Sequence, residues 1–201
     1  MLRLFSSPRW DLPVYWALDL ETGGLDARHD PIIAVGMVPV RNGVIQLGES
    51  FDTLVRPDPG RAIRPESVRA HQLLAGDLRK SPPLAAVLQE VDRRLEGGVL
   101  LVHNRGIDIP FLKGGHARSG LPWKKPRVVD TVDLIVKAAS RRRFLRPEGE
   151  TMPSLNLSEA RRVNGLPDYQ AHDALVDAIA TAELFLVLRH VIGAKTLRDL
   201  R

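Results

Sequence analysis

Apolar residues run almost without interruption from Val14 to Leu20. Such a run is typical of a central strand that is covered on both faces of a sheet. Asp19 and Glu21 break into its carboxyl end, and a Gly23-Gly24 turn follows. Because side chains two apart on a strand share a face, both carboxylates are predicted to point the same way. The chain is therefore predicted to carry a pair of acids at the end of its first buried strand.

Further strand patterns follow directly. Pro31 to Val40 is rich in β-forming residues, and Asn42-Gly43 is a strong signal for a two-residue hairpin turn. Val44 to Val55 then supplies the predicted returning strand. The chain is thus predicted to open with three sequence-adjacent strands.

Helical periodicity begins after these strands. Pro65 stands where a first helical turn tolerates proline, and a short helix is predicted over Glu66 to Leu74. Ser81-Pro82 is typical of an N-cap and first-turn proline, and apolar residues recur at helical spacing as far as Leu95. Gly97-Gly98 is predicted to end this amphipathic helix.

The second half alternates short strands with helices. Strands are predicted over Val99 to Val102 and Arg127 to Val129. Helices are predicted over Ile107 to Ser119, over Thr131 to Ala139 with Asp130 as the cap, from Ser158 to near Asn164-Gly165, and from near Asp173 onward. Arg141 to Pro153 is polar and basic with two prolines, which predicts a surface loop. This order predicts a mixed α/β sheet with helices on both faces.

The acids of this pattern are predicted to meet at one edge of the sheet. Active sites in such sheets lie beyond the carboxyl ends of the strands. Asp19 and Glu21 end one strand, and the strand from Val99 ends a few residues before Asp108. Like charges repel unless a cation neutralises them, and hard oxygen ligands suit Mg²⁺ or Mn²⁺. For Asp19 and Glu21 alone, a solvated acidic turn is an equally good interpretation.

Composition narrows the class of protein. A chain of 201 residues, 44% of them hydrophobic, can bury one substantial core, so a single domain over residues 14–201 is predicted after an N-terminal extension over residues 1–13. The formal net charge of +5 fits a polyanionic partner. The absence of cysteine excludes disulfides, thiolate zinc sites and a cysteine nucleophile. No apolar run has the length of a signal peptide or membrane span, which predicts a soluble, cytoplasmic protein.

Three motifs occur in order and at fitting intervals along the chain. They are Asp19-Leu20-Glu21-Thr22, His103-Asn104-x-x-x-Asp108 and His172-x-Ala174-x-x-Asp177. Together they resemble the DEDDh 3′-to-5′ exonuclease family, which includes the proofreading subunit of bacterial replicative polymerase, ribonuclease T and oligoribonuclease. The resemblance covers roughly Tyr15 to Leu188. It implies a ribonuclease H-like fold.

The resemblance also implies roles for five residues. Asp19, Glu21, Asp108 and Asp177 match the family's four acidic metal positions, and His172 matches its general base. Two divalent cations about 3.5 to 4 Å apart can stabilise the entering and the leaving oxygen of a phosphodiester. Five residues apart on one helix, His172 and Asp177 would face different ways. His172 is therefore predicted in the loop before the last helix, with Asp177 on its first or second turn.

A second set of residues is predicted to contact the substrate. Its members are Thr22, Gly23, Gly24, Leu25, His103 and Asn104. In the family the segment after the Glu contacts the terminal nucleotide, so the glycines would allow close approach and Leu25 would wedge against the bases. The alternative is an ordinary glycine turn with Leu25 covering the core. His103 and Asn104 are expected to support the site or cap the turn rather than to bind metal, and Ile107 stands where the family often has Phe.

The predicted function is a 3′-to-5′ exonuclease that uses two Mg²⁺ or Mn²⁺ ions and removes mononucleotides from single-stranded or frayed DNA ends. One alternative is the same chemistry on RNA, as in an oligoribonuclease or an RNA 3′-end trimmer. The other is a non-catalytic nucleic-acid-binding subunit on a decayed exonuclease fold. The predicted partners are a single-stranded 3′ end, DNA before RNA, and a polymerase or another replication or repair protein; no membrane is expected.

Overall fold

The computed structural model describes residues 7–145 and 153–201. Its centre is one six-stranded sheet in the order β3-β2-β1-β5-β6, in which β4 also pairs with β2. The strands are β1 (Tyr15–Thr22), β2 (Ile32–Arg41), β3 (Val44–Ile45), β4 (Phe51–Leu54), β5 (Val99–Val102) and β6 (Val128–Asp130). β1, β5 and β6 run parallel, and β2 is antiparallel to β1, β3 and β4. The predicted mixed sheet is confirmed.

Helices cover both faces of the sheet, as predicted. They are α1 (Pro65–His71), α2 (Ala75–Leu78), α3 (Leu84–Leu95), α4 (Arg105–Arg118), α5 (Thr131–Leu145), α6 (Leu157–Val163) and α7 (Ala174–Ile192). Alternate residues of β1 enter two different cores. Trp16 and Leu18 pack in the core that α3 and α4 share with the sheet, whereas Tyr15 and Ala17 pack in the core of α5, α6 and α7. Among the described residues, no helix combines the length and the apolar character needed to cross a membrane.

The predicted returning strand, Val44 to Val55, is wrong as one element. β3 and β4 both pair with β2, but a 3-10 turn at Leu47–Glu49 separates them. Five residues, 46–50, lie opposite only Val38 and Pro39 of β2. Pro39 has no N–H for the ladder, and only its carbonyl is used, by the Gln46 N–H at 2.9 Å. The chain therefore leaves the sheet after Ile45 and returns at Phe51, five residues having passed between the two strands.

Several predicted helix boundaries also need correction. The helix predicted to reach Leu74 ends at His71, because Gln72 adopts a left-handed φ of 59°, and the separate turn α2 follows. Ser81 does not cap α3, whose N-cap is Pro83 without a side-chain hydrogen bond. Ser158 does not cap α6, because the Asn156 side chain accepts from the Glu159 N–H instead.

Smaller shifts occur at the remaining elements. β6 and α4 begin within two residues of their predicted starts, at Val128 and Arg105. The predicted loop Arg141 to Pro153 begins too early, because α5 continues to Leu145. Arginine is a good helix former, so a basic run does not by itself end a helix. The part of that loop over residues 146–152 lies outside the described residues.

Residues of the predicted N-terminal extension pair with the C-terminal segment. The Trp10 N–H donates to the Lys195 carbonyl at 3.0 Å, and the Leu197 N–H donates to the Pro8 carbonyl at 3.0 Å. The Trp10 ring also packs against the Arg189 guanidinium at 4.1 Å. The described part of the extension, residues 7–13, is thus joined to the rest of the fold, and the domain boundary at residue 13 stays a prediction.

Candidate active site

Two of the predicted acids lie on the face of β1 that looks toward α7. Asp19 and Glu21 continue the face of Tyr15 and Ala17, which belong to the core under α7. Asp177 comes from the first turn of α7. One ligand atom from each of Asp19, Glu21 and Asp177 lies within 4.8 Å of the other two. These three carboxylates could share one cation.

A glycine of β2 allows α7 to approach the sheet at this point. Gly36 pairs with Asp19 across the sheet. A Cβ atom on Gly36 would lie 2.1 Å from the carbonyl carbon of Ala174, at the start of α7. Any side chain here would push the helix away and carry Asp177 with it. Sequence reasoning missed this role, although a lone glycine inside a buried strand is a signal for close backbone approach.

Asp108 reaches the same groove from another helix. It lies in the first turn of α4 and is buried, and it is not one of the three clustered ligands. The start of α4 is held by Asp130, whose carboxylate accepts from the N–H groups of Asn104 at 3.0 Å and Arg105 at 2.9 Å. Asp130 also accepts from the Val132 N–H at 2.9 Å, which confirms it as the cap of α5. Its second role, in placing α4, was not predicted.

The pKa values of the acids show how crowded they are. Burial raises the pKa of Asp19 well above its ordinary value, and the charges of Asp108, Asp177 and Glu21 raise it further. Burial, followed by the charges of Asp177 and Asp173, raises the pKa of Glu21 to about 7. Burial also raises the pKa of Asp108, and the Asp130 charge adds to it. A divalent cation would remove this repulsion, and carboxylate oxygens are the donors that Mg²⁺ and Mn²⁺ prefer, so the donor set fits such an ion.

His172 lies in the loop before α7, and Asp177 lies on the first turn of that helix, as predicted. The backbone of His172 is left-handed, with a φ of 72°. Its N–H donates to Asp177 Oδ2 at 2.8 Å, which ties the loop to the acid. Its side chain lines the same groove as the acids.

Tyr169 also belongs to this groove and was not predicted. Its hydroxyl donates to Asp177 Oδ1 at 2.6 Å. The contact spans eight residues through an irregular loop, so no helical or strand periodicity could reveal it. The nearest hint is its position three residues before the His172 motif.

His103 and Asn104 line the groove and also hold the elements around it, and their contact with substrate stays a prediction. The Asn104 side chain accepts from the Gly106 N–H and caps α4. His103 Nε2 lies 2.8 Å from the Leu155 carbonyl, and Nδ1 lies 2.7 Å from the Thr131 hydroxyl. Nε2 donates to Leu155 because a carbonyl oxygen can only accept, and burial lowers the pKa of His103. Both ring nitrogens are engaged, which fits the expectation that His103 does not bind metal.

The groove has a volume of about 520 Å³ and contains all five residues with predicted chemical roles. Thr22 and Leu25 also line it. Gly23 and Gly24 are buried and face inward, because a Cβ on them would meet Pro31 at 2.6 Å and Asp30 at 2.1 Å. Packing within the loop is therefore sufficient reason for both glycines, and their contact with a nucleotide stays a prediction.

The rim of the groove is apolar. Leu25 is 85% exposed, Leu155 is 48% exposed and Ile107 is 40% exposed, and all three line the groove. Leu25 therefore does not cover the core, which removes that alternative. Exposed apolar side chains at the rim of a groove suit a ligand that has flat apolar faces.

Comparison with known proteins identifies the family. The family model described as Exonuclease (RNase_T) matches residues 16–185. This is most of the chain, so the protein belongs to this exonuclease family, and the resemblance drawn from the three motifs is confirmed. The ribonuclease H-like sheet is confirmed as well.

Relatives and solved structures agree with this assignment. A DNA polymerase III subunit epsilon-like protein of Rhodobacter capsulatus is 34% identical over 188 residues, which are 93% of this chain and 25% of that protein. The DNA polymerase III subunit epsilon of Treponema pallidum is 31% identical over 180 residues, 87% of this chain and 75% of that protein. E. coli exonuclease I, in its zinc-bound complex with single-stranded DNA, matches with a TM-score of 0.75 and 19% identity over 90% of this chain and 42% of that one. The structural likeness shows the fold alone, and the chain spans about a quarter of the length of the Rhodobacter relative.

Proposed function

We propose that this chain is a divalent-metal-dependent 3′-to-5′ exonuclease that releases nucleoside monophosphates from single-stranded or frayed DNA ends. The observation that carries the proposal is the convergence of Asp19, Glu21 and Asp177 within 4.8 Å, with Asp108 and His172 on the same groove. Family membership supports the exonuclease activity, and the polymerase III names of the relatives support DNA as substrate.

The four acids would hold two Mg²⁺ or Mn²⁺ ions. When bound, such ions neutralise the charge that develops on the entering and leaving oxygens of a phosphodiester. Without them, the carboxylates of Asp19, Glu21, Asp108 and Asp177 would repel the phosphates of any nucleic acid in the groove. We therefore expect no hydrolysis in the presence of a chelator.

His172 would act as the general base. Neutral imidazole can accept a proton from a water molecule that attacks the terminal phosphodiester. The bond from the His172 N–H to Asp177 Oδ2 fixes the loop that carries the ring beside the acids. The backbone of His172 therefore fixes the proposed base relative to Asp177.

The apolar rim would hold the unpaired end of the strand. Leu25, Ile107 and Leu155 present exposed side chains that can contact base faces without reading their sequence. An end must unpair before its bases can reach this rim, and a mismatched end unpairs at lower cost. Duplex ends are therefore expected to be cut slowly and mismatched ends faster. Thr22 beside Leu25 remains a predicted contact of the terminal nucleotide.

The experiment that tests the proposal uses a single-stranded DNA oligonucleotide labelled at its 5′ end, incubated with the protein and Mg²⁺ or Mn²⁺. We expect a ladder of labelled products shortened from the 3′ end and free mononucleotides, both abolished by a chelator and by Asp108→Asn. An intact oligonucleotide beside a folded protein would favour the non-catalytic alternative. Release of the labelled 5′ nucleotide first, or internal cuts first, would contradict the proposed direction.

A competition experiment determines whether DNA or RNA is the preferred substrate. A single-stranded DNA oligomer, an RNA dinucleotide and a longer RNA are offered together at one salt concentration. Proteins distinguish the two nucleic acids through the 2′-hydroxyl. We expect the DNA to be consumed first. Preference for the dinucleotide would indicate an oligoribonuclease, and preference for the longer RNA would indicate RNA trimming.

A replicative DNA polymerase is the protein partner that this proposal includes. The Rhodobacter and Treponema relatives carry polymerase III names, which is the reason to test it. Co-elution of the chain with a polymerase catalytic subunit would support the partnership, and separate elution at micromolar concentration would count against it. The cytoplasmic location predicted from the sequence stays a prediction.

A further inference from the structure

Both oxygens of the Asp177 carboxylate are held by donors of its own chain. Oδ2 accepts from the backbone N–H of His172 at 2.8 Å, and Oδ1 accepts from the hydroxyl of Tyr169 at 2.6 Å. Asp177 is 8% exposed, so water does little to fix its orientation. The terminal torsion of an aspartate is broad, and two donors on different oxygens select one orientation of the carboxylate plane.

Tyr169 packs against a buried arginine, Arg161. The Arg161 guanidinium packs against the Tyr169 ring at 4.8 Å, and Arg161 is 2% exposed. It donates to the carbonyl of Pro167 at 3.2 Å, to that of Ala180 at 2.9 Å and to the Glu183 carboxylate at 2.6 Å. Arg161 thereby joins α6, α7 and the loop that carries Tyr169.

We propose that Tyr169 is a positioning residue that orients the Asp177 carboxylate for cation binding, and that Arg161 keeps Tyr169 in place. The inference rests on the proposed function, because it assigns the Asp177 oxygens to a divalent cation. Each oxygen keeps lone pairs after accepting one hydrogen bond, so both remain able to bind metal. Hydrogen bonds to a ligating carboxylate typically change metal affinity or activity by 10- to 100-fold.

The test is Mn²⁺ binding by calorimetry, measured on the wild type and on Tyr169→Phe. We expect the variant to bind Mn²⁺ roughly 10- to 100-fold more weakly, with much of the lost activity restored at high Mn²⁺. The chain has one other tyrosine, Tyr15, which is buried and donates to the Trp10 carbonyl. Tyr15→Phe is the matched control, and it should lower the melting temperature without changing Mn²⁺ affinity.

A second variant tests the arginine. Arg161→Lys keeps the positive charge but removes the planar group that packs under Tyr169. We expect it to weaken Mn²⁺ binding in the same direction as Tyr169→Phe but by less. Wild-type Mn²⁺ affinity in a folded Tyr169→Phe protein would overturn the role of Tyr169 while leaving the proposed exonuclease intact. A wild type that neither binds Mn²⁺ nor shortens DNA would overturn both.

Discussion

The two halves of one face of β1 are used in opposite ways. Tyr15 and Ala17 are fully buried, and the Tyr15 ring contacts Phe185 of α7 at 4.8 Å. Asp19 and Glu21 continue the same face under the same helix, yet burial and neighbouring acids raise their pKa values. The first half therefore stabilises the fold, and the second half opposes it.

This difference shows where the fold gives up stability for chemistry. A buried aromatic side chain at the position of Asp19 would add to the core, whereas a carboxylate there is unfavourable until its charge is compensated. Gly36 makes the burial of the Asp19 carboxylate more unfavourable, because it lets the start of α7 close over Asp19 and bring Asp177 nearer. A strained cluster of like charges under a helix is more easily understood as a cation site than as a structural element.

The largest expected effect is a loss of activity without a loss of stability, and it distinguishes the acidic half of the β1 face from the apolar half. Asn or Gln in place of Asp19, Glu21, Asp108 or Asp177 should each remove nearly all turnover on single-stranded DNA, because each change removes a proposed metal ligand. In EDTA, the melting temperatures of these variants should not fall below that of the wild type. In contrast, Tyr15→Ala should lower the free energy of unfolding by about 3 to 5 kcal/mol, the usual range for a buried aromatic side chain.

Rate assays under saturating Mg²⁺ and thermal unfolding check this separation. Near-normal turnover in the Asp108 or Asp177 variant would contradict the four-acid assignment. If an acid variant lost as much free energy of unfolding as Tyr15→Ala, that acid would have a structural role in the core instead.

The next effect concerns His172. Because its φ is 72°, glycine is the substitution that keeps the loop relaxed. His172→Gly should slow the reaction by about 10² to 10⁴, typical of a lost general base. Added imidazole should restore part of the rate, measured by single-turnover cleavage. A near-normal rate in this variant would show that another group takes the proton.

Gly36→Ala should have an intermediate effect on both properties. The new methyl group would clash with the backbone of Ala174 and move α7 away from the sheet. We expect a loss of about 1 to 3 kcal/mol, typical of overpacking, together with weaker Mn²⁺ binding. Gly48→Ala is the control, because a Cβ there meets nothing within 4 Å. Equal Mn²⁺ affinity in the two variants would contradict the role given to Gly36.

The smallest effect is a pH dependence of stability in the metal-free protein. Folded Glu21 has a pKa of about 7, above its ordinary value, so the folded state keeps a proton that the unfolded chain has released. The stability that protonated Glu21 gives to the folded state is present at low pH and is lost as the pH rises through about 7. Burial lowers the pKa values of His71 and His103, which acts in the opposite direction. The measurement is therefore the free energy of unfolding of the wild type minus that of Glu21→Gln. This difference should fall as the pH rises from about 5 to about 8, because only the wild type has a carboxyl group at position 21 that ionises.

That difference needs melting curves in EDTA at matched ionic strength. A constant gap between the two proteins across this range would show that Glu21 does not titrate in the folded state as its surroundings predict.

Much of the site could be predicted because its residues are fixed by regular elements. The alternation along β1 put Asp19 and Glu21 on one face, and helical geometry separated His172 from Asp177. The mixed sheet with helices on both faces followed from the alternation of strands and helices, whereas the order of its strands was not predicted. Periodicity placed the acids of β1 on one face, whereas the roles of Asp108, His172 and Asp177 came from the resemblance to the exonuclease family.

The parts that could not be predicted depend on irregular chain or on choice among equivalent residues. Whether Asn156 or Ser158 caps α6 depends on where the loop places the helix start, and both residues are good caps. The split between β3 and β4 follows from Pro39 on the neighbouring strand, which pairing shows and a single strand pattern does not. The bond from Tyr169 to Asp177 depends on loop coordinates that no spacing rule supplies.

The central claim is that the acids of β1 lower stability until a cation binds them. The most direct measurement is thermal unfolding of the wild type and Asp19→Asn, each in EDTA and in Mn²⁺. In EDTA we expect the variant to be at least as stable as the wild type. In Mn²⁺ at about 100 times its dissociation constant we expect the wild type to gain about 2.7 kcal/mol and the variant much less. A variant that is less stable in EDTA, or that gains as much from Mn²⁺ as the wild type, would contradict the claim.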